Sequence, residues 1–173
     1  MFEAFVTSPE YRTLVDYFSR PEIRWAVLLP GIVSLAIVSF YVRRGLLSDR
    51  MQLVWVLVLP VSFYCARWEA TSDAQQLFIY SGFSVACLLL AFHRVYVSPA
   101  LAYALTFLSL WWVDVTQALC HAIECGVPLD DFYVGVGGGG IYDSLFLMPL
   151  ITAAAAAYAL ARLRSKGEVL AQL

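Results

Sequence analysis

The sequence predicts an all-α, polytopic membrane protein: a bundle of five transmembrane helices behind a short amphipathic interfacial helix. Three observations predict it. Of 173 residues, 61% are hydrophobic and 14% charged, with mean hydropathy +0.74; a soluble domain has about 45–50% and about 25%. Five runs approach the ~20 apolar residues that a spanning helix needs. The basic residues between those runs alternate in side, as orientation in a bilayer demands. The length allows a single domain over residues 1–173. A net charge of −2 with no basic run argues against a nucleic-acid partner.

The N-terminal stretch "MFEAFVTSPEYRTLVDYFSRPEIR" has no basic region leading into a short apolar run and a small-residue cleavage site. It therefore reads as no cleavable signal peptide, and the first apolar span is expected to stay in the membrane. Within it, Ser8 suits a helix cap and Pro9 the first helical position. Tyr11, Leu14, Val15 and Phe18 then recur at helical spacing before Pro21 ends the segment. This is the pattern of a helix lying in the interface.

The five expected spans are roughly 23–42, 51–67, 76–97, 99–124 and 141–162. The fourth opens at Pro99, a residue suited to a first helical turn. Pro30, Pro60 and Pro149 fall inside spans, where they are ordinary membrane-helix residues or bends that open a cavity. The run "AAAAA" at 153–157 reads as a surface for close helix packing. "VGVGGGG" at 134–140 lacks the Lys-Ser/Thr of a phosphate loop and the preceding strand of a dinucleotide site. It reads as a flexible outer loop or, alternatively, as a re-entrant or ligand-approach segment.

Charge sets the expected topology. Arg43, Arg44, Arg50, Arg94, Arg162, Arg164 and Lys166 share one side, seven of the eleven Lys and Arg. Arg12, Arg20, Arg24 and Arg67 lie on the other, outnumbered there by Asp and Glu. Five spans with the N-terminus outside and the C-terminus cytoplasmic satisfy the loops, a pattern that suits a bacterial inner membrane.

The candidate site lies on the fourth span, in "WWVDVTQALCHAIECG". Successive helical residues turn by about 100°, so with Asp114 at zero Gln117 lies at about −60°, His121 at about −20° and Glu124 at about −80°. The intervening Val113, Val115, Ala118, Leu119, Ala122 and Ile123 are apolar. One wall of the helix is therefore polar over a rise of about 15 Å, half the hydrocarbon thickness. It lines the outer half only, from Asp114 near the midplane to Glu124 near the outer interface, as an intramembrane site opening to the outer side. An ionised carboxylate facing lipid at mid-bilayer costs at least about 2.5–3.5 kcal/mol, so Asp114 should face helices or water.

If the site is catalytic, Asp114, His121 and Glu124 are the acid–base candidates. Arg67, Glu69, Gln117, Tyr80 and Asp143 are the binding candidates, with Arg67 as counter-charge for Glu124 or Asp143. No cofactor is implied. His121 and Glu124 have a spacing that helical metal ligands use, but too few histidines accompany them, and no metal site is assigned. Cys120 beside His121 is a poor nucleophile pair, because neighbours on a helix point about 100° apart. Cys65 and Cys125 fall at outer helix ends, where a disulfide is allowed. Of Trp111 and Trp112, one is expected to reach the polar wall and the other to pack. His93 and Arg94 read as inner headgroup neighbours.

Three functions remain open: an embedded subunit or accessory of a larger membrane assembly, an intramembrane enzyme acting on a lipid-like substrate, and an oligomeric proton- or ion-coupled transporter or channel. The expected partners are the bilayer and other protein chains, or further copies of this one.

Overall fold

The computed structural model describes residues 24–47, 66–70, 75–79, 97–125 and 144–165, together with Asp49, Gln52, Trp55 and Pro60, each of which has helical backbone. The packed body of these residues is all-helical. Three long helices form it: α1 (Leu29–Arg43), α2 (Pro99–Cys125) and α3 (Ser144–Ser165). They coincide with three of the five apolar stretches. The interfacial segment around 8–21 and the glycine loop at 134–140 lie outside the described residues.

A single π-helical turn, Arg24–Leu28, runs directly into α1. Pro30 explains it. Proline has no N–H to return to residue 26, and its ring crowds that carbonyl. The wider turn relieves the crowding, so Pro30 sits in the first turn of regular helix rather than kinking its middle. At the far end, Gly45 adopts a left-handed φ of 63°. The Gly45 N–H donates to the Val42 carbonyl at 3.0 Å and the Leu46 N–H to the Tyr41 carbonyl at 3.0 Å. This is a Schellman ending, which needs a residue tolerant of positive φ.

Ser98 caps α2: its Oγ accepts the Leu101 N–H at 3.2 Å, and its carbonyl accepts the Ala102 N–H at 2.9 Å. The same Oγ shares a 2.6 Å hydrogen bond with the Tyr41 hydroxyl, tying the end of α1 to the start of α2. At the opposite end Val27, in the π turn, packs with Phe107 and Leu110 of α2 and Leu145 of α3. Ala156 of α3 joins Val97, Leu101, Ala102 and Leu105. These pairings make α2 antiparallel to both α1 and α3, which run in the same direction.

α2 is the central element. From Leu101 to Leu110 every residue is buried except Tyr103 and Leu108, which are half-buried. A helix covered on all bearings is a core helix. The segment at Trp55 contributes to the cover, its Nε1–H donating to Ser109 Oγ at 3.1 Å. By contrast, among the described residues the π turn and α1 bury the stripe Val27, Pro30 and Ser34, and α3 the stripe Leu145, Pro149, Thr152 and Ala156. Their other faces are apolar and exposed: Leu28, Ile32, Leu35, Phe40 and Val42 on α1, Leu147, Leu150 and Ile151 on α3.

Among the described residues one helix, Leu145–Leu163, is long and apolar enough to cross a membrane by length and composition, and α1 is apolar but shorter. α3 continues through Pro149, and Thr152 Oγ1 donates to the Met148 carbonyl beside it at 2.8 Å.

Ala66–Ala70 (β1) and Gln75–Ile79 (β2) pair as an antiparallel hairpin, with Arg67 opposite Phe78 and Glu69 opposite Gln76. This corrects the expected edges of the second and third spans, since Arg67 and Gln76–Ile79 are extended rather than helical. Arg67 and Glu69 alternate with Ala66, Trp68 and Ala70, a period of two that suits a strand rather than a helix edge.

Candidate functional site

The polar wall is built by the face of α2 that also carries the core. With Phe107 at zero, Leu110 lies at about −60°, Asp114 at about −20° and Gln117 at about −80°. Asp114 thus points between the bearings of two residues that pack on Val27 and Leu145. It is 7% exposed, directly after Val113 at 0%. One turn beyond Leu110, the carboxylate continues the helix–helix contact instead of meeting an apolar exterior. Gln117 is half-buried, and both residues have interaction partners.

The wall opens towards its far end. Glu124 is exposed, as are its neighbour Ile123 at 66% and, a turn earlier, Cys120 with a free thiol. His121 is placed on α2, but its side chain lies outside the described residues, as does that of Cys125. The two tryptophans separate as helical neighbours must: Trp111 packs against the core cluster, and Trp112 is 47% exposed.

Arg67 and Glu69 lie two positions apart on β1, and β2 touches α2. This brings the hairpin to the helix that bears Asp114, while the two side chains themselves lie outside what is described. Tyr80, Asp143, Cys65, Cys87 and His93 also lie outside the described residues. Asp114 and Gln117 are therefore the site candidates whose burial is established. Among the described residues no group of three His, Cys, Asp or Glu side chains comes together.

Arg24 was legible only as a flanking charge. A Cβ built on Gly31 would meet Phe107 Cε1 at 3.5 Å, which places those two residues at one level. Arg24 lies seven residues before Gly31, and Asp114 seven after Phe107. The helices are antiparallel, so both lie about 10.5 Å further towards the same end. Arg24, in the π turn, is at the height of Asp114 but on the exposed side, so a span flanked by Arg24 sets Asp114 near its own outer end and not at mid-bilayer, where the sequence places it.

Hydroxyls supply the remaining polarity. Ser109 Oγ donates to the Leu105 carbonyl at 2.7 Å, and Thr116 Oγ1 to the Trp112 carbonyl at 2.6 Å, so each is satisfied within its own helix. Ser34 Oγ and Thr106 Oγ1 are buried without a hydrogen-bond partner. Nothing in the sequence pattern distinguishes these two from the satisfied pair.

No protein-family model matches this chain, and no curated protein and no solved structure matches it either.

Proposed function

We propose that the chain is a five-span protein of a bacterial inner membrane, with its N-terminus outside and its C-terminus cytoplasmic, acting as an embedded subunit or accessory of a larger membrane assembly. One observation carries this reading: α2 is covered on nearly all bearings from Leu101 to Leu110 while α1 and α3 turn apolar faces outward. Soluble monomers rarely expose contiguous apolar patches beyond a few hundred Å². From Arg24 to Arg43 the helix rises about 28 Å, close to the hydrocarbon thickness of about 30 Å. Arg24 with Trp25 at one end and Arg43 with Arg44 at the other are the flanks that an interface favours. The antiparallel relation of α1 to α2 agrees with an even number of crossings between them, and the second and third spans supply two.

Leu35 tests the membrane reading. It is 58% exposed near the middle of α1. Leu35→Arg is expected to reduce membrane integration in a glycosylation-mapping assay, because a mid-bilayer arginine costs about 2.5–3.5 kcal/mol on insertion scales. Unchanged integration would count against α1 as a span. For the subunit reading, single cysteines on the outward faces of α1 and α3 should cross-link to another chain in intact membranes. A protein that stays monomeric at every such position is not a subunit.

A second reading rests on Asp114. A carboxyl group 7% exposed among helices is where membrane proteins place proton relays and acid–base groups. Under this reading Asp114, His121 and Glu124 handle protons, for an intramembrane enzyme or an ion-coupled transporter. Proton flux in liposomes that Asp114→Asn abolishes would favour it, and absence of flux at every pH would end the transport form.

A further inference from the structure

The outer surface of α1 carries a groove of about 240 Å³ lined by Arg24, Trp25, Leu28, Leu29 and Ile32. Its geometry follows from the helix. Arg24, Leu28 and Ile32 form one row at four-residue spacing, and Trp25 and Leu29 form the adjacent row. Such rows are ridges with a channel between them, inclined by about 26° to the helix axis. Here the π turn spans Arg24, Trp25 and Leu28, so the head of the channel is built on the widened part of the helix. All five side chains are exposed, Trp25 at 62% and Ile32 at 57%.

We propose that this groove is a phospholipid site, with the Arg24 guanidinium on the headgroup phosphate and an acyl chain lying against Leu28, Leu29 and Ile32. The inference rests on the membrane reading above and adds a ligand to it. Charge and shape select the occupant. Three aliphatic side chains offer a hydrocarbon no polar partner. The one cation stands at the end of the row, where the apolar run begins. A guanidinium presents a planar fork of donors that matches two phosphate oxygens, and its several N–H groups allow that contact beside another partner. Trp25 adds the amphipathic ring that settles at headgroup level. A soluble anion would use Arg24 but leave the aliphatic row bare. A partner helix would bury the row but set a cation at its edge. A phospholipid matches both ends.

The experiment uses the full-length protein in mild detergent, titrated with phosphatidylglycerol and read by native mass spectrometry. The wild type is expected to retain one phospholipid tightly. Arg24→Gln should weaken that binding about tenfold, as loss of charge-assisted hydrogen bonds predicts. Ile32→Trp, which fills the channel without touching the charge, should weaken it as well. Arg43→Gln, at the far end of α1, should not change it. Circular dichroism of each variant confirms the helices. Equal lipid retention by wild type, Arg24→Gln and Ile32→Trp, with the protein still resisting alkaline extraction from membranes, would overturn the groove alone. Release of the wild-type chain by alkaline carbonate would overturn the membrane reading, and the groove with it.

Discussion

The link between Tyr41 and Ser98 makes a quantitative prediction. Ser98 Oγ does two things: it caps α2 by accepting the Leu101 N–H, and it meets the Tyr41 hydroxyl at 2.6 Å across 57 positions of sequence. Loss of an N-cap costs about 1 kcal/mol. Loss of the hydrogen bond between helices costs about 0.6–1.7 kcal/mol on the membrane-protein scale. Ser98→Ala removes both and should destabilise by about 2 kcal/mol, whereas Tyr41→Phe removes only the second and should cost about 1 kcal/mol. The double variant should resemble Ser98→Ala alone, so the cycle returns a coupling of about 1 kcal/mol. The assay is equilibrium unfolding in mixed micelles with rising SDS fraction, followed by far-ultraviolet circular dichroism. Effects that simply add, with coupling within about 0.3 kcal/mol of zero, would refute the claim that this bond holds α1 to α2.

Three further outcomes are expected. Gly45→Ala should destabilise by about 1–2 kcal/mol through backbone strain alone, because a Cβ there meets nothing within 4 Å; an unchanged SDS midpoint would contradict the Schellman ending. Gly31→Ala should be neutral or stabilising by up to about 1 kcal/mol, since its Cβ makes ordinary contact with Phe107, while Gly31→Leu should cost about 1–3 kcal/mol by overpacking; the order of the two midpoints is the readout. If Asp114 is a packing group, Asp114→Asn should unfold closer to wild type than Asp114→Ala, because the amide keeps a hydrogen-bonding partner in place; in the proton-handling reading both variants lose function equally while remaining folded.

Helix positions were legible because each rests on local chemistry. Pro99 marks the start of α2, and the apolar run from Leu145 onwards survives Pro149 because the rest of the helix outweighs one lost hydrogen bond. The hairpin at 66–79 was not legible as such, since Arg67 and the Gln-Gln pair were absorbed into neighbouring apolar runs, and a window of about 20 residues averages away a five-residue alternation. The polar wall was legible as a spacing on α2, with Asp114 expected at mid-bilayer and Glu124 near the outer interface. That Asp114 is buried and Glu124 exposed depends on where α1 and α3 reach along α2, which no residue of α2 encodes. The groove at Arg24 escaped for a related reason: a flanking arginine reads as a topology signal until the turn beneath it is known to widen.

The enclosure of α2 also constrains how the protein is made. Its principal neighbours are synthesised long before it and just after it, so α2 leaves the ribosome before α3 exists to cover it. Until residues 144–165 arrive, Phe107 and Leu110 lack the cover that Leu145 gives them. In the proposed membrane reading α2 and α3 should therefore integrate as a pair, and a chain truncated after Cys125 should be recognised by quality-control proteases.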